Sequence, residues 1–403
     1  AEYMGKLWNS SMELTIPSYF ICPISLDLMK DPVTLSTGIT YDRESIDRWI
    51  QEGHSTCPVS NQTLSSPDQI PNHFIRRMIQ SWCIDNRSNG VERIATPRAP
   101  ITSFEVHHIC GRLAEAAYAG DSQRCAKIVH TLKGIAKESE RNKKCIAESD
   151  AVGALSSAFE CFSKQENSSI MEEILSILAW TKRTDVAIGS PVSVKGLQMM
   201  MKSGSSARND AVSVLRNVVS TRRAAAKTII ETQGMLDSLL SFLKDEANHP
   251  ATYATLMILS RILLQNGGVS SWLVKKGAIP LLIRIISVGD KATGKRALII
   301  LNTLCDSTSG REMASENTLL VPILCGKISA TPDTAADASV SILWKVWKGK
   351  EDVVNEMVEV GLFEKLLVML QVGCRGDTKQ KAKDLLRAIN ARSSCQMDRP
   401  QKS

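Results

Sequence analysis

Residues 19–33 read Tyr-Phe-Ile-Cys-Pro-Ile-Ser-Leu-Asp-Leu-Met-Lys-Asp-Pro-Val, and Cys57-Pro58-Val59 follows about one helix later. Two Cys-Pro segments set apart in this way raise the question of metal. Each structural zinc ion takes four Cys or His ligands, usually in close C-x2-C pairs, so two zinc-braced loops need twice that number. Residues 17–84 supply only Cys22, His54, Cys57, His73 and Cys83, and no C-x2-C pair occurs anywhere in the chain. No metal and no other cofactor is therefore expected, and something else must hold the loops. Asp27, Lys30, Asp31, Asp42, Arg43 and Glu44 are the polar side chains at hand. A network among them stabilises the loops only if its members are satisfied.

Around these loops the pattern is that of a small α+β domain. Val33 and Leu35 alternate with polar neighbours, Thr37-Gly38 supplies a turn, and Ile39 and Tyr41 return, which predicts a short hairpin. Asp42 is a good N-cap for a following helix with Ile46, Trp49 and Ile50 on one face, and Gly53 ends it. A second helix is predicted after Pro71, capped by Asn72, with Ile75, Met78, Ile79 and Trp82 as its core stripe. A domain of this size buries a small core and is marginal by itself.

The segment Ile16–Cys83 resembles the U-box family, the metal-free relatives of RING domains. The resemblance rests on Phe20-Ile21-Cys22-Pro23-Ile24, Met29-Lys30-Asp31-Pro32-Val33, Thr37-Gly38-Ile39-Thr40-Tyr41-Asp42-Arg43, Ile46, Trp49, Cys57-Pro58 and Ile70-Pro71-Asn72, in that order. It implies recruitment of a ubiquitin-charged conjugating enzyme into a shallow groove. Carried over by motif, the contact residues are Ile24 and Leu26 in the first loop, Trp49 on the helix and Pro58 in the second loop. A transient interface needs a few desolvated apolar anchors of this kind. Cys22, with Asp27, Lys30, Asp42 and Arg43, is expected to be structural. Such ligases form no covalent intermediate; they bias the thioester-linked ubiquitin toward a reactive pose. The side chain that locks this pose is commonly basic in relatives, and here the position is Asn61, which is uncharged and shorter.

Beyond residues 85–104, whose polar stretch Asp85–Thr102 with Gly90, Pro97 and Pro100 reads as a linker, the pattern is helical and it repeats. A Gly-x-Leu/Ile type of segment recurs at Gly153, Gly196, Gly234, Gly277 and Gly361, with Leu319–Pro322 filling the remaining slot. The steps are 43, 38, 43, 42 and 42 residues, and a period near 42 indicates an armadillo or HEAT-like solenoid. Lys276-Gly277-Ala278-Ile279-Pro280-Leu281-Leu282, followed by Ala297-Leu298 and Leu301-Asn302, is similar to the armadillo repeat in particular. His107–Ser149 is read as a degenerate first unit. The expected layout is an N-terminal tail over 1–15, the U-box over 16–84, the linker, a solenoid over 105–392 and a tail over 393–403. The fold class is mainly α, a RING-like α+β domain without zinc followed by an armadillo α-solenoid. Aligning the third helices places Ala179, Asn217, Ser260, Asn302 and Trp344 at one position. In armadillo proteins an Asn there holds an extended peptide, so Asn217 and Asn302 are weak candidates for a substrate groove, against the alternative that they bond their own solenoid. Trp180, Trp344 and Trp347 line a pocket or fill core.

Composition bounds the rest. The net charge is +7, of which residues 17–84 carry −2 by five basic and seven acidic groups. A mild surplus over the remainder is not the dense basic stripe of a nucleic-acid binder, so no nucleic acid is expected. No apolar run approaches the roughly 20 residues that cross a bilayer. Eleven scattered cysteines, an odd number, point to a reducing compartment, cytoplasm or nucleus. A U-box followed by armadillo repeats is the arrangement of a plant family of E3 ubiquitin ligases. Membership implies an E3 transferase that recruits a charged conjugating enzyme and selects a protein substrate through its repeats, with roles in stress, hormone or immune signalling. Some relatives dimerise through the U-box, which leaves a homodimer open. The alternative is a non-catalytic scaffold with an impaired U-box, Asn61 being the residue that suggests it. A splicing-type U-box protein ranks last, because neither a coiled-coil nor a propeller pattern occurs. No phosphate loop or nucleophile–base set supports a metabolic enzyme.

Overall fold

The computed structural model describes residues 16–66, 68–92, 94, 101–181, 187–203, 206–245, 249–329, 333–348 and 350–397, with the backbone alone at 223 and 393–397. The expected tail over 1–15 and the end of the chain beyond 397 lie outside these residues, as do Pro97 and Pro100. The chain divides into two compact units between Ile101 and Thr102.

The first unit is built on a three-stranded antiparallel sheet. β1 (Pro32–Thr34) pairs with β2 (Thr40–Asp42) in the register Val33 to Tyr41, and with a short β3 (Ile70–Pro71) on its other edge. β3 has no sequence signal, since two residues show no alternation. α1 (Arg43–Gln51) follows β2 directly, and α2 (His73–Asp85) follows β3. Asn72 caps α2 as predicted, its Oδ1 accepting from the Ile75 amide at 3.0 Å, while its Nδ2 donates to Thr34 and Thr40 hydroxyls on the hairpin. Val33, Tyr41, Ile46, Cys22, Cys57, Ile79 and Cys83 form the buried core. Ile75, Met78 and Trp82 of the predicted stripe, together with Ile24, Trp49 and Ile50, pack against it half-buried.

The second unit is helical. A pair, Ser103–Tyr118 and Ser122–Glu138, opens it, and helical triplets follow, the last ending in Gly376–Met397. That final helix runs to Met397, past the Ser393 where a frayed tail is expected. Third helices of successive triplets pack on one another, as Ala207–Thr221 does on Pro250–Leu263 and Pro250–Leu263 on Lys291–Leu304. The recurrent glycines divide into two kinds. Gly234, Gly277 and Gly361 precede a helix at φ of 75°, 75° and 68°, the left-handed turn a glycine adopts most cheaply. Gly153 and Gly196 lie inside helices instead, and Gly196 faces Ser163 of the helix Ala151–Lys164 so closely that a Cβ would collide with its hydroxyl. One sequence pattern thus serves two structural needs. Among the described residues no helix is long and apolar enough to cross a membrane.

Candidate functional site

The two Cys-Pro loops are built alike. In the first, Cys22 N donates to Asp27 O at 2.8 Å and Leu26 N to Cys22 O at 2.9 Å. In the second, Cys57 N donates to Gln62 O at 2.8 Å and Asn61 N to Cys57 O at 2.9 Å. Isolated bridges close both bases, Ile21 with Leu28 and Thr56 with Thr63, and the fifth residue of each loop is left-handed, Leu26 at φ 60° and Asn61 at φ 55°. The signal was present in the sequence as a repeated Cys-Pro-x-Ser, at Cys22–Ser25 and Cys57–Ser60.

β2 yokes both loops to the core. The Asp42 amide donates to Cys22 Sγ at 3.3 Å, and the Tyr41 hydroxyl lies 3.0 Å from Cys57 Sγ while accepting from the Val59 amide at 3.3 Å. Thr37 Oγ1 donates to Cys57 Sγ at 3.4 Å. Burial is the largest single influence on the Cys57 thiol and pushes it up, but the hydroxyls of Ser60, Thr37 and Tyr41 together reverse this and bring it to about 6. Burial and the adjacent Cys57 hold the Tyr41 phenol above its ordinary value. Both sulfurs are fully buried and act as acceptors.

Carboxylates do the remaining bracing. Asp42 Oδ1 accepts the Lys30 and Asp31 amides at 2.7 and 2.8 Å, pinning the end of the first loop to the start of α1. Asp42 starts the helix as predicted, yet its side chain makes no cap bond there, because it is spent on the loop. Burial holds its carboxyl above the usual value against these donors. Asp31 pairs with Arg43 Nε at 2.7 Å and with Arg76 Nη2, all three side chains largely buried. Arg43 also donates to Gln69 at 3.2 Å, and Gln69 to Asp47 at 2.6 Å. Of the residues singled out for this network, Lys30 contributes its amide and its charge near Asp42, and Asp27 a backbone carbonyl to Cys22. The Glu44 side chain makes an exposed pair with Arg48. Arg76, Gln69 and Asp47 were missed, since nothing in the sequence says they approach Asp31 and Arg43. Among the described residues no group of three or more His, Cys, Asp or Glu side chains is placed to hold a metal ion.

The candidate contact residues lie on this frame. Leu26 is 74 % exposed, Pro58 and Ile24 are half-buried, and Asn61 is exposed. Trp49 is tied to the second loop by its Nε1, which donates to Thr56 O at 2.8 Å, and its ring stacks on His54 at 3.9 Å. Val59, 57 % exposed beside Pro58, adds an apolar surface residue that went unpredicted.

In the solenoid, Asn217 Nδ2 donates to the Thr181 carbonyl at 2.9 Å, and Asn302 Oδ1 accepts from Lys345 Nζ at 2.7 Å. Lys345 also pairs with Asp306 at 2.6 Å. Both asparagines thus bond across to a neighbouring repeat. At the equivalent position Trp344 donates to Asp384 at 3.2 Å and carries Lys348 3.7 Å from its ring centre. Trp180 and Trp347 are half-buried.

Residues 16–88 match the U-box domain model, and residues 105–399 match the plant U-box protein ARM repeat region. U-box domain-containing protein 21 of Arabidopsis thaliana is 36 % identical over 393 residues, covering 96 % of this chain and 90 % of that protein. E3 ubiquitin-protein ligase PUB23 of the same organism is 32 % identical, covering 93 % of each. The solved structure of Uso1-2 aligns over 70 % of this chain and 50 % of its own with a TM-score of 0.50 at 13 % identity, a likeness of fold alone. By both domains in order, and by relatives matched along nearly their whole length, this chain belongs to the plant U-box family, with a U-box followed by armadillo repeats.

Proposed function

We infer that the chain is a U-box E3 ubiquitin-protein ligase. It recruits a ubiquitin-charged conjugating enzyme through Ile24, Leu26, Trp49 and Pro58, and selects a protein substrate through its repeats. The observation that carries this reading is the paired loop frame, in which Asp42 and Asp31 do the bracing and apolar side chains remain at the surface. Leu26 keeps 74 % of its surface in water at a left-handed φ that a leucine adopts at a cost of ~1 kcal/mol. A buried role would not need it so exposed, whereas a docking role does. The chemistry asked of the chain is positional. Holding the charged enzyme converts attack by a substrate lysine into an effectively intramolecular step. Relatives with this architecture are named as E3 ubiquitin-protein ligases at 32 % and 30 % identity.

The test is autoubiquitination with purified activating and conjugating enzymes. Transfer by the wild type, lost in Trp49→Ala, supports the reading. Inactivity across a broad conjugating-enzyme panel, with partner binding by the repeats intact, establishes the scaffold alternative instead.

A further inference from the structure

Between the helices Arg223–Glu231 and Met235–Phe242 on one side and Gly268–Lys275 on the other lies an open cavity of about 380 Å3. It is at the small end of the range for ligand pockets. Ile230, Leu236 and Val269 supply apolar wall, Trp272 and Asp237 also line it, and the rest of the lining is polar side chain or glycine backbone. A half-buried tryptophan beside a carboxylate is a pairing that attracts cations, the ring through its quadrupole and the carboxylate through its charge. The structure holds an example of the chemistry. Lys276 places its ammonium 3.0 Å from Asp237 Oδ1 and 5.4 Å from the Trp272 ring centre. Its side chain and that of Asp237 are both about half exposed, 48 % and 56 %, so the pair is held weakly and is open to exchange.

We propose that this cavity is a binding site for a basic side chain, arginine or lysine, of a partner protein segment, and that Lys276 occupies its cationic position when no partner is bound. The incoming cation displaces the Lys276 ammonium from Asp237 and stacks on Trp272, while its aliphatic stem covers Ile230, Leu236 and Val269. Arginine suits the site best, because a planar guanidinium both stacks on the indole and bonds the carboxylate in bidentate fashion. The site deepens the substrate-selecting role given to the repeats and rests on that role only for its use. Its occupancy is measurable with no conjugating enzyme present.

The experiment follows the indole N–H resonance of Trp272, assigned by its loss in Trp272→Phe, in the full chain during titration with acetyl-argininamide. The neutral isostere acetyl-citrullinamide serves as control. Saturable movement with the arginine compound and none with citrulline is expected. Asp237→Asn removes the movement, and Lys276→Ala lowers the midpoint roughly two- to fivefold, the weight of one exposed ion pair. No movement with arginine, equal movement with citrulline, persistence in Asp237→Asn, or an unchanged midpoint in Lys276→Ala overturns the proposal. A chain that ubiquitinates itself but shows no such movement fails this inference alone. One that shows the movement but transfers no ubiquitin fails the ligase reading alone.

Discussion

Replacing Asp31 probes the metal substitute directly. Its two oxygens hold Arg43 and Arg76, and the side chains of the three are 18 %, 13 % and 13 % exposed. Removing one partner of a buried ion pair costs about 3–5 kcal/mol, because the remaining charge stays buried without compensation. Here two guanidinium groups are left, and among the described residues Arg76 Nε already has no hydrogen-bond partner. A unit with so small a core has a total stability on the order of 5 kcal/mol. Asp31→Ala is therefore expected to unfold most of the U-box while leaving the repeats folded. Asp31→Asn, which keeps the shape and loses the charge, should fall between. Hydrogen exchange by mass spectrometry reads this locally: peptides from residues 20–35 lose protection in Asp31→Ala, and peptides from the repeats do not. If Asp31→Asn stays within ~0.5 kcal/mol of wild type, the size of an ordinary surface change, the ion pairs do not brace the loops and the reasoning fails.

Leu26→Asn keeps a residue that tolerates the left-handed φ of 60° and removes the apolar side chain, so conjugating-enzyme affinity should drop at least about tenfold with no loss of thermal stability; titration calorimetry with a thermal melt separates the two. Asn61→Arg supplies the charge that relatives commonly carry, and single-turnover lysine discharge should speed up while affinity for the conjugating enzyme is unchanged. The Cys57 thiol, lowered from 9.0 to about 6, stabilises the fold in full above pH 9, progressively less as pH falls toward 6, and not at all below that, at most about 4 kcal/mol across the range. Cys57→Ser accepts the same hydrogen bonds without titrating, so the difference between its stability–pH profile and the wild type's should grow from pH 6 to pH 9; parallel profiles would show that folding does not lower the thiol's pKa. Gly196→Ala forces a Cβ against Ser163 and should cost roughly 1–3 kcal/mol in chemical denaturation of the repeats, recovered in part by Ser163→Gly.

Much of the molecule is legible in the chain alone. The hairpin at Val33 and Tyr41, the Asn72 cap and the apolar stripe of α2 are local, set by alternation, turn chemistry and helical spacing. The repeat spacing reports a solenoid because each unit must bury one face against the next. The paired loops were half visible: the twin Cys-Pro segments stand out, while the twin serines and the shared left-handed fifth residue gain meaning only from the hydrogen bonds that close each loop.

The sequence by itself determined that two loops must be held without a full set of metal ligands and that the remainder stacks in helical repeats, since ligand counts and periodicities are properties of the chain. Only the tertiary structure decided which groups do the holding. Asp42 leaves its helix end to staple the first loop, Arg76 reaches Asp31 across 45 residues, and Asn217 bonds Thr181 in the neighbouring repeat. Such bonds depend on distances between residues far apart in the chain. Several carboxylates of equal chemistry compete for each role, and packing alone brings the successful one within about 3 Å.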